Sequence, residues 1–348
     1  MKTKIFTLLF AIVASIGTMS AEIVKYVDIG DLCYNLNTST KTAEVTTKYD
    51  LLTRDNYINI QGALSIPSTV DYENITYTVT SIGENAFIDC VGMTSITIPG
   101  TVDSIGKWAF DNCTSLASVV LEDGVAIIGV NAFRDCASLT IVSFPNSIIN
   151  IESCAFYHCR SLETINIPNG ITSIKEQTFN GCTKLVSVNI PSSVTSIEKY
   201  AFGGCGFASF TIPSTISVIE EAVFWKCANL VEVTIPASVT EIKNIAFKGC
   251  TNLTKIYNQR ITPANAYSDV FDGVDKFGST LYVPKSSIDM YSNTAVWRDF
   301  YAIEAIEDVQ AINDVEVDKN SAKKSVRDGH VLIECGDKTY TIQGQEVK

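Results

Sequence analysis

Histidine is almost missing from this chain: two residues, His158 and His330, among 348. A Ser-His-Asp or Cys-His catalytic arrangement therefore has little material. Motifs of the His-Glu-x-x-His, Gly-x-Ser-x-Gly and phosphate-cradling glycine-rich kinds are also absent. Basic residues are the minority, 26 Lys and Arg against 38 Asp and Glu, for a formal charge of −12 without a basic cluster. Nucleic acid and anionic membrane surfaces both require a positive footprint, so both are excluded as partners. The apolar run Ile5–Ile16 follows the basic Met1-Lys-Thr-Lys4 and has the length of a secretory leader core; small residues after it place cleavage at Ser20 or Ala21. No later run is long enough to span a bilayer, so no integral membrane segment is expected once residues 1–21 are removed.

What the chain has is a period. Phe87, Phe110, Phe133, Phe156, Phe179, Phe202, Phe224 and Phe247 recur at 23 residues, with one step of 22. Each has a cysteine three places on: Cys90, Cys113, Cys136, Cys159, Cys182, Cys205, Cys227 and Cys250. Eight or nine residues after most of these cysteines stands an apolar residue followed by proline, as in Ile98-Pro99, Ile167-Pro168 and Ile235-Pro236. A fixed period of this length marks a solenoid, whose units bury their apolar faces only against one another. Within a unit, Leu185-x-x-Val188-x-Ile190 has the strand pattern of a leucine-rich repeat, and the proline after it cannot extend the ladder. Side chains alternate along a strand. The outward positions are therefore Ser95 and Thr97, Ser118 and Val120, Ile141 and Ser143, Thr164 and Asn166, Ser187 and Asn189, Ser209 and Thr211, and Glu232 and Thr234. These residues form the candidate binding face, which is small and polar and lacks aromatic or arginine anchors. The Ile-Gly-x-x-Ala-Phe-x-x-Cys segment is expected to form a tight turn or short helical piece on the far side, with Phe and Cys inward.

Units reading Ser81-Ile-Gly-Glu-Asn-Ala-Phe-Ile-Asp-Cys90 and ending in Ile98-Pro99 resemble the BspA-like leucine-rich repeats, and the resemblance runs from about Ser81 to Pro284. It implies a leucine-rich-repeat solenoid with a parallel β-sheet on the concave face and short turns, 3-10 or helical segments on the convex side. It also implies a bacterial protein that is secreted or held at the cell surface or outer membrane. Its function is then non-enzymatic recognition: adhesion to host or bacterial surface proteins, with carbohydrate capture beside glycan-uptake machinery as the alternative.

The organisation expected is a leader at 1–21, a β-rich N-terminal cap at 22–78, eight repeats at 79–262, a degenerate ninth repeat with a C-terminal cap at 263–306, and a linker with a short hairpin at 307–348. Inside the first cap, Tyr72-Glu-Asn-Ile-Thr-Tyr77 reads as an inserted hairpin. Tyr291, Trp297, Phe300 and Tyr301 read as the cluster that closes the far end. The linker is read from Ile306 to Arg327, and the hairpin after it resembles the start of a type IX secretion signal domain.

The chain has 11 cysteines, which in an exported protein would ordinarily mean disulfides. In-register cysteines of adjacent coils, however, have parallel Cβ vectors, leaving the Cβ atoms about 4.8 Å apart where a bridge prefers about 3.8 Å. Buried free thiols are the expectation. No metal or other cofactor is expected. The one grouping with ligand atoms, Cys154, His158 and Cys159, has Cys159 in the inward column and Cys154 at the place of Asn131 and Gln177. The carboxylates Glu152, Glu163, Glu176, Glu198 and Glu232 show no obvious pairing.

Overall fold

A computed structural model of the protein describes residues 23–47 and 60–306 in full, and the backbone of four strands between 322 and 347. The leader, residues 48–59 of the expected cap and most of the linker lie outside the described residues. The chain divides into two compact units, residues 1–304 and 305–348.

The first unit is a parallel β-solenoid of about ten coils. It opens with an antiparallel meander of β1 (Ile23–Ile29), β2 (Leu32–Asn37) and β3 (Thr42–Thr46). Next come β4 (Gly62–Ser65), β5 (Thr69–Tyr72) and β6 (Ile75–Ile82), of which β5 and β6 form a hairpin. Its two loop residues, Glu73 and Asn74, have φ of 49° and 63°, the left-handed pair that matches strand twist in a two-residue turn. β3 pairs in parallel with β6, which joins the cap to the first coil.

Two parallel ladders then run along the coils. The longer begins at β4 and continues through Met93–Ile98, Ser118–Leu121, Ile141–Ser143, Thr164–Asn166, Ser187–Asn189, Ser209–Thr211, Glu232–Ile235 and Lys255–Asn258 to Thr280–Val283, with Ala302–Ala305 bonded at its end. The second is formed by the Ser-Ile pairs and their equivalents, from the end of β6 through Ser104–Ile105 and Ile127–Ile128 to Asn265–Ala266. The far side has the expected tight turn: the Gly-x-x-Ala-Phe-x-x-Cys segment forms consecutive turns without helix, and only the Ile before it belongs to a short Ser-Ile strand instead.

The reason lies in the backbone. Each of these segments has two left-handed residues, such as Asn85 and Asp89, Asn131 and Asp135, or Gln177 and Gly181. A helix tolerates no such residue in its interior. The turns satisfy their amides coil to coil instead: Phe87 N donates to Ala109 O at 2.7 Å and Asp89 N to Asp111 O at 2.8 Å. Glycine permits this close approach at Gly106, where a Cβ would lie 2.6 Å from the carbonyl carbon of Gly83.

Down the centre runs a stack of nine phenylalanines, Phe87 to Phe271, with neighbouring ring centroids 5.0–6.2 Å apart and planes within 14° of parallel. Beside it stands the cysteine column, all eight thiols buried and none in a disulfide. From the second coil on, each Sγ donates to the carbonyl of the phenylalanine one coil back, as in Cys113 to Phe87 O at 3.1 Å and Cys182 to Phe156 O at 3.2 Å. That carbonyl already accepts an amide within its own turn, as Phe87 O does from Cys90 N. The thiol is thus small enough for the core and supplies a weak donor where alanine would supply none.

Both ladders fall into three sections, interrupted at the same two places: after Ser143 and Ile151, and after Asn189 and Ile197. The second interruption coincides with the 22-residue step. There one residue is missing before the strand, Phe207 and Phe210 take the places of smaller residues, and the Phe202–Phe224 spacing is the widest of the stack at 6.2 Å. The first coincides with Phe144, which stands where most other coils have isoleucine and meets Phe156 edge-on at 5.7 Å.

At the far end Trp297 and Phe300 cover Phe271 edge-on at 5.7 and 5.2 Å, and Tyr291 packs against Trp297. Their polar tips are satisfied: Trp297 Nε1 donates to Ala264 O at 3.0 Å and Tyr291 OH to Arg260 O at 2.9 Å. Tyr301 is not part of this closure. It follows Phe300 in extended backbone, so it points the other way, and it is 80% exposed.

The second unit is a four-stranded antiparallel sheet of Ala322–Arg327, His330–Cys335, Lys338–Thr341 and Glu346–Val347. The linker reading is corrected at its end, because Ala322–Arg327 pairs with His330–Cys335 along its whole length.

Candidate functional site

The longer ladder satisfies its own backbone, so its solvent face offers side chains. Register brings them into two columns. In one, Ser95 pairs with Ser118 and that with Ile141, Thr164 pairs with Ser187, and Ser209 pairs with Glu232. In the other, Thr97 pairs with Val120 and that with Ser143, Asn166 with Asn189, and Thr211 with Thr234. Thr164, Asn166, Ser187, Asn189, Ser209 and Thr211 are exposed, while Ser95, Thr97, Ser118, Glu232 and Thr234 are half-buried. The hydroxyl columns are interrupted by Val120 and Ile141, 48% and 57% exposed.

Sequence reasoning missed where this face ends. Glu232 continues in register to Lys255 and Thr280, and Thr234 to Tyr257 and Tyr282. The two tyrosine rings stack with centroids 4.7 Å apart and planes 12° from parallel. The face therefore has an aromatic anchor, contrary to the reading that it has none. The signal was present: Leu253-x-x-Ile256-x-Asn258 is the strand pattern with Asn in the last apolar place and no proline after it.

Three of the carboxylates without an evident pairing in sequence, Glu152, Glu176 and Glu198, are bonded one coil away. Lys175 Nζ meets Glu152 at 2.8 Å, Lys199 Nζ meets Glu176 at 3.3 Å, and Glu198 accepts from Ser173 Oγ and from the amide of Glu176, both at 3.0 Å. Spacing by one period places each partner directly alongside. Asp111 follows the same rule, with Arg134 Nε at 2.9 Å; burial raises its pKa and the guanidinium partly offsets that. Cys154, His158 and Cys159 do not converge. His158 Nδ1 lies 3.2 Å from Asp135, Cys159 Sγ donates to Phe133 O, and Cys154 Sγ lies 4.0 Å from Gln177 Oε1.

Burial raises every thiol of the inward column, Cys90 and Cys227 to about 12. Cys154 is half-buried and raised as well, burial leading and Glu176 adding. Reagent access and thiolate fraction then rank the thiols together. At pH 8 in native buffer, Cys154 should be alkylated by iodoacetamide at least about tenfold faster than any ladder cysteine. Peptide mapping checks this, and equal labelling of Cys182 would contradict the buried column.

The family model of the BspA type leucine rich repeat region matches in six copies over residues 68–185 and 150–276, together more than half of the chain. The chain belongs to that family. A leucine rich cell surface protein of Faecalibacterium prausnitzii is similar at 25% identity and TM-score 0.54, over 85% of this chain and 98% of that one. A Treponema pallidum leucine rich repeat protein is 26% identical over 66% of this chain and 91% of its own, with TM-score 0.46. A leucine-rich repeat protein of Bacteroides ovatus is 21% identical over 81% of this chain and all of that one, with TM-score 0.41. No curated protein matches the sequence. BspA-type proteins are typically secreted or surface-bound, and their solenoids are typically non-catalytic. Among the described residues, no helix is long and apolar enough to cross a membrane.

Proposed function

We propose that this BspA-type chain is an exported, non-enzymatic recognition protein that adheres to a surface protein of the host or of another bacterium through the solvent face of the longer ladder. The observation that carries this reading is the outward face of the longer ladder, in register within each of its three sections from Ser95 to Tyr282 and ending in the stacked Tyr257–Tyr282 pair beside Lys255. Small hydroxyls and amides contribute complementarity with little energy each, whereas tyrosine is a common hot-spot residue. Repetition along the face lets weak contacts add for an extended partner.

The test is an array of matrix proteins and glycans probed at physiological salt with the chain and two variants. One replaces Thr164, Asn166, Ser187 and Asn189 together by lysine; the other is Tyr257→Ser with Tyr282→Ser. A protein hit should weaken by roughly thirtyfold in the tyrosine variant, the size of a hot-spot loss, and should also weaken in the lysine variant. A hit retained by both variants would refute the assignment of this face. A glycan hit lost in both would transfer the face to carbohydrate.

A further inference from the structure

The N-terminal cap has a second surface that the adhesion reading leaves unused. On the solvent side of β1–β2–β3, where the meander meets β6, lies an open cleft of about 360 Å³. Lys25 stands on one wall, Thr80 and Ser81 on the other, and Asn35, Asn37 and Glu44 across the floor. Each wall is shaped by a register shift. One lies in β1 between Val24 and Val27, with Tyr26 held at φ 58°; the other lies where β3 meets β6, between Ala43 and Glu44. Bulges of this kind re-aim side chains and occur beside binding sites more often than chance.

The floor is ordered before any ligand arrives. Asn35 Nδ2 donates to Glu44 Oε1 at 3.0 Å, and Asn35 Oδ1 accepts from Tyr26 N at 3.3 Å. Asn37 Oδ1 accepts from the amides of Ser39 and Thr40, both at 3.1 Å, which leaves its Nδ2 as a donor. The Glu44 carboxyl lies across Gly83, where a Cβ would come within 3.0 Å of Cδ. Glycine at that position gives the carboxylate its place.

We propose that this cleft binds a neutral saccharide, one or two sugar units of a glycan. Vicinal hydroxyls each need a donor and an acceptor side by side, and Asn37 Nδ2, Lys25 Nζ, Glu44 Oε2 and the Thr80 and Ser81 hydroxyls provide both kinds within one cleft. An anionic ligand would meet the Glu44 carboxylate, and a cationic one would meet Lys25. A flat aromatic ligand would find no ring among the residues lining the cleft. The volume is at the small end for ligand sites, which limits the occupant to a sugar or two.

Saturation-transfer-difference NMR of the full chain tests this, with the methyl glycosides of glucose, galactose, mannose and N-acetylglucosamine as probes and N-acetylneuraminate as the charged comparator. Transfer to at least one neutral glycoside is expected. It should fall roughly tenfold in Glu44→Gln combined with Asn37→Ala, the scale of a lost hydrogen bond to a charged group, and fall likewise in Gly83→Ala. Circular dichroism confirms that the variants fold. The four-lysine variant of the longer ladder should bind as the unaltered chain does, so the two readings fail separately. Transfer only to the acidic sugar, transfer that survives in the Glu44 and Asn37 variant, or none from any neutral glycoside overturns the proposal.

Discussion

Raising the pH from 8 to 10 under reducing conditions is expected to unfold the repeat region. Burial raises all eight ladder thiols above their ordinary value near 9, Cys90 and Cys227 to about 12. A thiol whose folded pKa is raised stays protonated in the fold and ionises in the unfolded chain. Its stabilising contribution is whole below pH 9 and lost as pH climbs towards the folded value. Above pH 9 each thiol costs about 1.4 kcal/mol per pH unit. The seven raised furthest together cost roughly 10 kcal/mol at pH 10, against the 5–15 kcal/mol that stabilises an ordinary domain. The thiolate would also lose the S–H donated to the neighbouring phenylalanine carbonyl. Far-ultraviolet circular dichroism against pH should show a steep transition between about pH 9 and 10.5. Replacing Cys136, Cys159, Cys182 and Cys205 by alanine should roughly halve its steepness, because half the protons are gone. A transition of unchanged steepness would mean that the thiols are not what titrates.

Phe179→Ala should cost about 3–5 kcal/mol, the range for truncating a fully buried phenylalanine. Its ring is completely buried and stacked between Phe156 and Phe202, both at 5.8 Å. Stacked coils contact only their neighbours, so the hole cannot be closed by shifting one side without opening the other. The next coils already carry the 22-residue step and the interrupted ladders, so the hole opens beside the widest spacing of the stack. Urea denaturation reads the effect, and a loss below about 1 kcal/mol would show that the inward face has been misassigned.

Most of this architecture was legible from the chain. Phenylalanine, cysteine and the apolar-proline pair recur at one spacing, and a repeated spacing of chemically fixed residues specifies a stacked core without reference to distant contacts. The in-register thiols could be read as free because parallel Cβ vectors follow from stacking itself. Two local details were ambiguous because their signal was short. Ser-Ile is too short to announce a strand, and only the neighbouring coil, which offers it a partner, makes it one. Tyr301 was grouped with Tyr291, Trp297 and Phe300 by composition, but alternation along extended backbone turns it outward.

The candidate surfaces divide the same way. Alternation alone placed Thr164, Asn166, Ser187 and Asn189 outside, because the period of a strand is two and the apolar partners had to face in. Tyr257 and Tyr282 needed the structure: 25 residues separate them where the period is 23, and only the register of Lys255–Asn258 against Thr280–Val283 shows them stacked. The cleft of the cap needed it still more, since Lys25, Asn37, Glu44 and Ser81 share no spacing and meet only when two register shifts fold an antiparallel meander onto the first coil. The sequence by itself therefore determined the solenoid, its core columns and the side of the strand that faces water, because repetition turns local pattern into global structure. Where the period stops, at both caps and in the worn ninth coil, tertiary contacts alone decided which side chains meet.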